Sequence, residues 1–378
     1  MIKVNLLFLN SIIIGSLILI LEHIEVFSFF GFLNPQIELI FVFFLIYFSL
    51  FMYNSSKKPI GAYLFLTLIF FIFAHYLIAT PKIFRISLIL LSFILIASLV
   101  IKNSNHAKQM LLLDIIKYCC LVNCIYGLFF NQVFVGNRVV GLDQSPVLFG
   151  YNMLLGFWLS MISNKTNMGS NKFNSKLDLL YALAFIVGIL LSQSRGAIFG
   201  LITGMTFIFF FSKKINVKYI IYIIIAVIIL SIFFIYNSSF FYKNFGLQRI
   251  IDIFTGNAND ERFIIWRGMM NVYYKDFDFL KFLIGGGVGS GNELIGRGVH
   301  SDHLKIIFDF GIIGYLIYLI KIFSSFKLTN VLSAYLGGFL VSTLTSGIFY
   351  VNVGSITNSF SYYLVLIVFF NFIKLNNK

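Results

Sequence analysis

Charged residues are scarce in this sequence: only 11% of its 378 residues are Asp, Glu, Lys or Arg, whereas 59% are hydrophobic. A soluble domain has about 25% charged and about 45–50% apolar residues, so this composition excludes an ordinary soluble enzyme and a disordered scaffold. Phe contributes 48 residues, which is typical of side chains that face lipid. We therefore predict a polytopic membrane protein.

Cysteine and proline are also rare, with three and four residues. Cys119, Cys120 and Cys124 lie in one apolar run and have neither a metal-ligand spacing nor the pattern of a disulfide framework, which excludes a disulfide-stapled module. Each proline stands just before a hydrophobic run, where its fixed φ suits the start of a helix. These residues are Pro35, Pro59, Pro81 and Pro146.

Hydrophobic runs of roughly 17–25 residues are each long enough to cross a bilayer as a helix. The first run follows Lys3 and reaches Glu22 without a small-residue cleavage site, so we expect it to be retained as a span. The predicted fold class is an all-α polytopic membrane protein of about twelve transmembrane helices. These spans lie near residues 5–21, 37–53, 60–79, 83–101, 110–130, 147–163, 178–192, 196–211, 218–236, 306–323, 328–349 and 356–373.

The runs divide the chain into three predicted parts. Residues 1–236 form a transmembrane bundle with spans one to nine, and residues 306–378 form a second bundle with spans ten to twelve. Between them, residues 237–305 are too polar to cross a membrane and are predicted to be one large loop that contains short helices.

Acidic residues are half as frequent as basic ones, 14 against 28, which gives a net charge of +14. In a soluble protein this excess would suggest nucleic acid as a partner, but cytoplasmic loops of membrane proteins collect basic residues for topological reasons. One side of the predicted topology holds fifteen basic residues, and the short loops opposite hold only Lys82, Arg85, Arg138 and Arg195. We therefore predict that both termini are cytoplasmic and that residues 237–305 lie outside.

Arginine and lysine are distributed differently. All seven arginines fall on the predicted outer side, and the fifteen basic residues on the cytoplasmic side are all lysine. Insertion topology counts Lys and Arg alike, whereas only Arg has a rigid fork of donors for phosphate oxygens. We infer an outer site for an anionic, phosphorylated ligand. The alternative is a set of structural salt bridges with Asp252, Asp260, Glu261, Asp276 and Asp278.

Two segments on the predicted outer side flank the middle spans. Residues 137–146 run from Asn137 through Arg138 to Pro146, and residues 192–196 form a polar break, Ser-Gln-Ser-Arg-Gly, between two short spans. Polar residues at membrane depth are costly unless they line a hydrated cavity. A helix that starts at Gly196 would direct backbone N–H groups at an anion. The alternative interpretation of this break is a simple tight turn.

Two further segments lie in the predicted loop. Residues 260–267 predict an amphipathic helix at the interface, with Arg262 and Trp266 on one face. Residues 284–291 form a glycine run that is followed by Arg297 and by His300-Ser301-Asp302-His303. The run formally matches a dinucleotide-binding pattern, but no βαβ context is visible, so we reject nucleotide binding. No second cluster completes a metal shell around the histidines, and a general base that deprotonates a hydroxyl is the better interpretation.

The order of these segments resembles the O-antigen ligase/polymerase superfamily of bacterial envelope polysaccharide enzymes. The resemblance rests on residues 138–146, Ser194-Arg195-Gly196, the Arg262…Trp266 pair, Gly287-Val288-Gly289 and the spacing from His300 to Gly311-Ile312-Ile313-Gly314. It covers residues 137–320, and the first five spans match only as generic hydrophobic helices. Ligases of this superfamily usually have Asn after the histidine. Here Ser301-Asp302 follows His300, which favours a Wzy-type repeat-unit polymerase.

The resemblance implies a glycosyltransferase of the bacterial inner membrane whose donor and acceptor are glycans on undecaprenyl diphosphate. It implies that Arg138, Arg195 and Arg262 bind the diphosphate, with Arg267 and Arg297 in support, and that His300 or Asp302 is the catalytic base. Membrane lipids, a chain-length regulator and a flippase are the implied partners. No metal, other cofactor or nucleic acid is expected. The alternatives are a ligase that transfers the glycan to a lipid A core or a protein, and a polysaccharide flippase or transporter.

Overall fold

The computed structural model is helical throughout the part of the chain that it describes, and no strand occurs there. The described residues are 13, 96–98, 100–101, 104–130, 138–143, 145–166, 172–211, 261–288, 290, 301–323, 331–347 and 360–375. The predicted spans near 37–53, 60–79 and 218–236, all of the span near 5–21 except residue 13, and most of the span near 83–101 lie outside these residues.

The described helices coincide with the remaining predicted spans and with part of the predicted loop. They are α1 (His106–Ile125, extended by a π-turn at Tyr126–Phe130), α2 (Pro146–Thr166), α3 (Lys172–Ser192), α4 (Arg195–Phe211), α5 (Glu261–Asp276), α6 (Phe279–Ile284), α7 (Asp302–Phe323), α8 (Val331–Ser346) and α9 (Phe360–Leu375). Pro146 is the first residue of α2, as the fixed φ of proline predicts.

Three of these helical stretches are long and apolar enough to cross a membrane: His106–Phe129, Pro146–Ser163 and Asp302–Phe323. α4 is apolar and slightly shorter. Large hydrophobic side chains are exposed on α3 and α4, among them Leu180 and Phe210, the latter with 72% of its surface accessible. Soluble proteins rarely expose contiguous apolar surface of this kind, whereas helices in lipid do. The chain is therefore an integral membrane protein.

The described residues fall into two compact units. The central unit comprises the described residues between Cys120 and Asp260 and between Phe326 and Ser346, and the flanking unit comprises the others. In the central unit α2 packs against α3, and α8 packs against α4 and α2.

Small residues let α4 and α8 approach closely in the central unit. A Cβ atom at Gly204 would overlap the Trp158 ring and the Gly338 carbonyl oxygen. The Trp158 side chain is fully buried, and its indole Nε1 donates to the Ser342 hydroxyl at 2.9 Å. Close backbone approach at small residues with an interhelical hydrogen bond is typical of helix packing in membranes, where apolar burial does not drive association.

In the flanking unit, α7 is broken at Gly311. This residue has φ 67° and ψ −174°, which interrupts the helix. A straight helix would separate His303 and Tyr315 by about 18 Å along its axis, yet the His303 Nδ1 atom lies 3.1 Å from the Tyr315 hydroxyl. The helix therefore bends sharply at Gly311. It has a first arm, residues 302–310, and a second arm, residues 312–323.

The glycine run stabilises this break. A helix that ends leaves its last carbonyl groups without intrahelical donors. Here the Gly286 amide donates to the Phe308 carbonyl at 2.8 Å, and the Gly287 amide donates to the Asp309 carbonyl at 3.1 Å. A Cβ at Gly285 would overlap the Asp309 carbonyl. The backbone of the glycine run therefore lies directly against the backbone at the end of the first arm, and a side chain at Gly285 would prevent this contact.

Candidate functional site

Arg138 lies at the carboxyl end of α3. Its Nε atom donates to the Ser192 carbonyl at 2.8 Å, and its Nη2 atom lies 3.4 Å from the Gln193 carbonyl. Beside it, the Val139 amide donates to the Leu191 carbonyl at 3.2 Å. A cation at a helix carboxyl end is stabilised by the helix dipole and by the unpaired carbonyl groups there. Arg138 therefore holds the end of α3 with two of its donors.

The polar break between α3 and α4 is a tightly held turn. Gln193 has φ 51°, which is unusual for a residue other than glycine. The Ser192 hydroxyl donates to the Ile189 carbonyl at 2.6 Å and accepts from the Ser194 amide at 3.1 Å. The Ser194 hydroxyl is buried and has no hydrogen-bond partner within the described part of the chain. Strained backbone of this kind persists only where surrounding contacts enforce it.

Arg195 follows this turn as the first residue of α4, and its side chain is half-buried. The first amides of a helix have no intrahelical acceptor, and the helix dipole adds partial positive charge at this end. A guanidinium at the same place adds a full positive charge. The arrangement is suited to an anion such as a phosphate group. The expectation of a helix that starts at this break is confirmed, one residue earlier than predicted.

Asp143 is held by two amide side chains. The Asn123 Nδ2 atom donates to its Oδ2 at 2.6 Å, and the Asn152 Nδ2 atom donates to its Oδ1 at 2.8 Å. The Asn123 Oδ1 atom in turn accepts from the Leu142 amide at 2.8 Å. Gly141, with φ 60°, lies so close to Asn123 that a Cβ atom would overlap the amide oxygen. These contacts fix the short 3-10 turn Gly141–Asp143 between α1 and α2.

Asp302 begins α7 in the flanking unit, and only 1% of its surface is accessible. Its amide donates to the Gly347 carbonyl at 2.8 Å. One turn later, the Lys305 Nζ atom forms a buried ion pair with the Asp309 carboxylate at 2.9 Å. The Ser290 hydroxyl donates to the Phe308 carbonyl at 3.1 Å and lies 3.5 Å from that carboxylate. A buried charge is costly unless it is paired, so this pair fits a structural role at the end of the first arm.

His303 stands next to Asp302 and contacts Tyr315 across the bend. The two rings meet edge to face, with centroids 5.8 Å apart. A hydrogen bond to one ring nitrogen determines the orientation and tautomer of an imidazole. This histidine is therefore oriented by a residue of the second arm of α7. The sequence interpretation did not select it as the base.

The predicted helix in the loop is present as α5, but its position at a membrane interface stays a prediction. Arg262 and Trp266 both lie on α5, and Arg267 is exposed there. Met269 and Tyr273 of α5 pack with Phe308 in one apolar cluster. Burial raises the pKa of Tyr273 to about 12, with a smaller contribution from Tyr274, so that its neutral hydroxyl donates to the Phe282 carbonyl at 3.1 Å.

Arg297 and His300 lie outside the described residues, as does the side chain of Arg262. Of the other predicted site residues, Arg138 and Arg195 come together at one turn of the central unit, and Arg267 and Asp302 lie in the flanking unit. Among the described residues no group of three His, Cys, Asp or Glu side chains is arranged to hold a metal ion.

Three residues beside the Arg138–Arg195 turn of the central unit were not selected as site residues from the sequence: Asn123, Asn152 and Asp143. Asn123 and Asn152 are buried in the mainly apolar helices α1 and α2. Polar side chains at membrane depth are costly unless paired, so their presence in hydrophobic runs was a usable signal. Their shared partner was not predictable, because Asn123 and Asp143 are twenty residues apart and meet only through the fold.

Residues 180–319 match the model of the O-antigen ligase family. The match begins in α3, continues through the Ser192–Arg195 turn, α5 and the glycine run, and ends in α7. No protein of curated function matches the chain. The matched segment contains most of the motifs on which the sequence resemblance rests, and it supports the same assignment. Residues 180–319 therefore support membership in the O-antigen ligase/polymerase superfamily that the sequence resembles.

Proposed function

We propose that this protein is a membrane glycosyltransferase that joins undecaprenyl-diphosphate-linked oligosaccharide repeat units into O-antigen or capsular polysaccharide. The observation that carries the proposal is the position of Arg195 at the start of α4, inside the segment that matches the O-antigen ligase family. We place the protein in the bacterial inner membrane with both termini in the cytoplasm, and its site on the periplasmic face. The lysine and arginine distribution of the sequence supports this orientation.

The reaction requires the release of a diphosphate. The acceptor hydroxyl attacks the anomeric carbon of the donor sugar, a new glycosidic bond forms, and the bond from that carbon to the diphosphate oxygen breaks. The diphosphate leaves with the bonding electron pair, and fixed guanidinium groups stabilise its charge. Arg195 and the first amides of α4 support this role by their position, and we assign Arg138, Arg262, Arg267 and Arg297 to the same diphosphate site. The acceptor proton passes to His300 or Asp302.

No nucleotide is needed at this step, because the donor lipid already carries the activated sugar. A chain-length regulator and a flippase that delivers the lipid-linked units are the partners we propose.

Two other functions are alternatives to the polymerase. A ligase that transfers finished glycan to a lipid A core or protein is favoured by the description of the matched family as an O-antigen ligase. A transporter should place ionisable residues within its helices and show related halves, and no internal repeat is evident in the sequence.

The deciding experiment is gel analysis of surface polysaccharide from a strain that lacks the gene. A single repeat unit on the acceptor is the expected result and identifies a polymerase. Long lipid-linked chains that never reach the acceptor would identify a ligase instead. Repeat units that accumulate on the cytoplasmic side would support a flippase, and polysaccharide of normal length and amount would contradict all of these functions.

A further inference from the structure

We propose that Arg138 is a positioning residue, which together with the Asn123–Asp143–Asn152 cluster holds the turn that presents Arg195. This inference rests on the proposed diphosphate-binding role of Arg195. It narrows the role of Arg138, which was assigned above to the same site, from contact with the diphosphate to support of the turn. It also gives a function to three polar residues that have none in the proposed reaction.

The first step concerns the turn itself. Arg138 bridges the carbonyl groups of Ser192 and Gln193, the two residues whose backbone leads from α3 into the turn. Gln193 has a positive φ, which is unfavourable for a residue with a side chain. A guanidinium that binds both neighbouring carbonyls stabilises this conformation. Arg195 then starts α4 two residues later, so its direction depends on the turn.

The second step concerns what holds Arg138. The short segment from Arg138 to Asp143 ends in the 3-10 turn, and Asp143 at its end accepts hydrogen bonds from Asn123 on α1 and Asn152 on α2. Gly150, also on α2, has no room for a Cβ atom because the side chains of Ser192 and Ser194 occupy that space. Two helices thus fix the segment that carries Arg138, and one of them packs directly on the turn.

The third step distinguishes positioning from direct binding. The donors that Arg138 uses on backbone carbonyls give it a role in the fold that needs no ligand, and they place it at the negative end of the α3 dipole. Arg195 stands at the positive end of the α4 dipole, which favours an anion. The two arginines of the turn therefore have different tasks: Arg138 fixes the backbone and Arg195 contacts the diphosphate.

The test is a double-mutant cycle on the full-length protein in lipid nanodiscs, with undecaprenyl diphosphate as the probe and its dissociation constant as the readout. We expect Arg138→Lys, which loses the two fixed guanidinium donors Nε and Nη2, and Asp143→Asn, which loses one acceptor, each to weaken binding about tenfold. In an Arg195→Ala background either change should alter the dissociation constant less than about twofold, because a positioning residue acts only through the residue it positions.

Three outcomes would count against this inference. If Arg138→Lys weakens binding by the same factor with and without Arg195, Arg138 contacts the diphosphate independently. If Arg138→Lys binds as the wild type does, it has no role at the site. If the wild type binds undecaprenyl diphosphate no better than Arg195→Ala does, the proposed diphosphate-binding function of this turn is itself wrong. The positioning role of Arg138 and of the Asn123–Asp143–Asn152 cluster is then wrong as well.

Two controls keep the result interpretable. Lys176→Ala removes an exposed positive charge at the opposite end of α3 and should leave binding unchanged. Each variant must elute as a single species in gel filtration. Should Asp143→Asn fail this requirement, Asn152→Ala removes one donor to Asp143 and leaves the other in place, and the same coupling to Arg195 is expected.

Discussion

The substitution Arg195→Lys changes the geometry of the side chain at the start of α4 but not its charge. Arg195→Lys keeps the positive charge at the start of α4 but loses the planar fork that binds two phosphate oxygens. Since removal of one preorganised donor from a developing charge costs about 10²–10³ in rate, we expect glycan transfer to fall by at least about 100-fold. The measurement is the transfer rate from an undecaprenyl-diphosphate-linked donor in membranes.

The control for Arg195→Lys is the amount of protein inserted in the membrane, which should equal that of the wild type. Lys275→Ala offers a matched comparison, since this exposed basic residue near the end of α5 has no assigned role. Full activity of Arg195→Lys would exclude the bidentate role, and a comparable loss in Lys275→Ala would indicate a nonspecific effect of charge.

Substitutions at His300 and Asp302 should show which of the two residues is the catalytic base. Asp302 is almost completely buried, whereas a base must reach the acceptor hydroxyl. We therefore expect His300→Ala to lower the transfer rate by about 10²–10⁴-fold and Asp302→Asn, which preserves shape, to retain at least about a tenth of it. The checks are polymer length in cells and the initial rate in membranes. The opposite ranking would make Asp302 the base.

At the scale of single elements, the break in α7 depends on one glycine. A Cβ atom at Gly311 would overlap the Leu283 carbonyl group, and φ 67° is itself unfavourable for alanine. Gly311→Ala should lower the unfolding temperature by several degrees and reduce activity, because the strain acts where the glycine run meets α7. Thermal unfolding of the detergent-solubilised protein measures this.

Gly268→Ala on α5 is the matched control for this substitution. A Cβ atom there would meet nothing within 4 Å. Alanine in a helix interior is favoured over glycine by about 0.5–1 kcal/mol. We expect an unfolding temperature that is unchanged or slightly raised. Equal effects of the two substitutions would mean that the bend tolerates a side chain at Gly311.

The comparison of sequence and structure is clearest at this scale. Apolar runs and Pro146 predicted α2 to within a residue at its start, because these signals are local. The bend in α7 was not predictable, since the run near 306–323 is hydrophobic enough overall to be predicted as one span and its hydropathy carries no information about the φ of Gly311. The contacts of Arg138 with Ser192 and Gln193 were equally inaccessible, because they join residues 54 and 55 positions apart.

At the scale of the whole molecule, the orientation in the membrane can be tested with introduced cysteines. The native Cys119, Cys120 and Cys124 are buried, so background labelling should be low. A membrane-impermeant maleimide should label Lys275→Cys, which is exposed on α5, in cells whose inner membrane is intact. It should label Lys176→Cys, exposed near the start of α3, only after that membrane is permeabilised. The reverse pattern would invert the predicted topology.

The bend at Gly311 also divides α7 into two arms with different surroundings. Residues 302–310 are attached to the glycine run by backbone hydrogen bonds, and most of their side chains are buried, including Lys305 and Asp309. Exposed apolar side chains of α7 appear only beyond the bend, at Leu316, Ile317, Ile320 and Phe323. The surroundings of the α7 side chains therefore change at Gly311, from burial in the first arm to exposed apolar side chains in the second. The second arm, about 18 Å long, covers only part of a hydrocarbon core of about 30 Å.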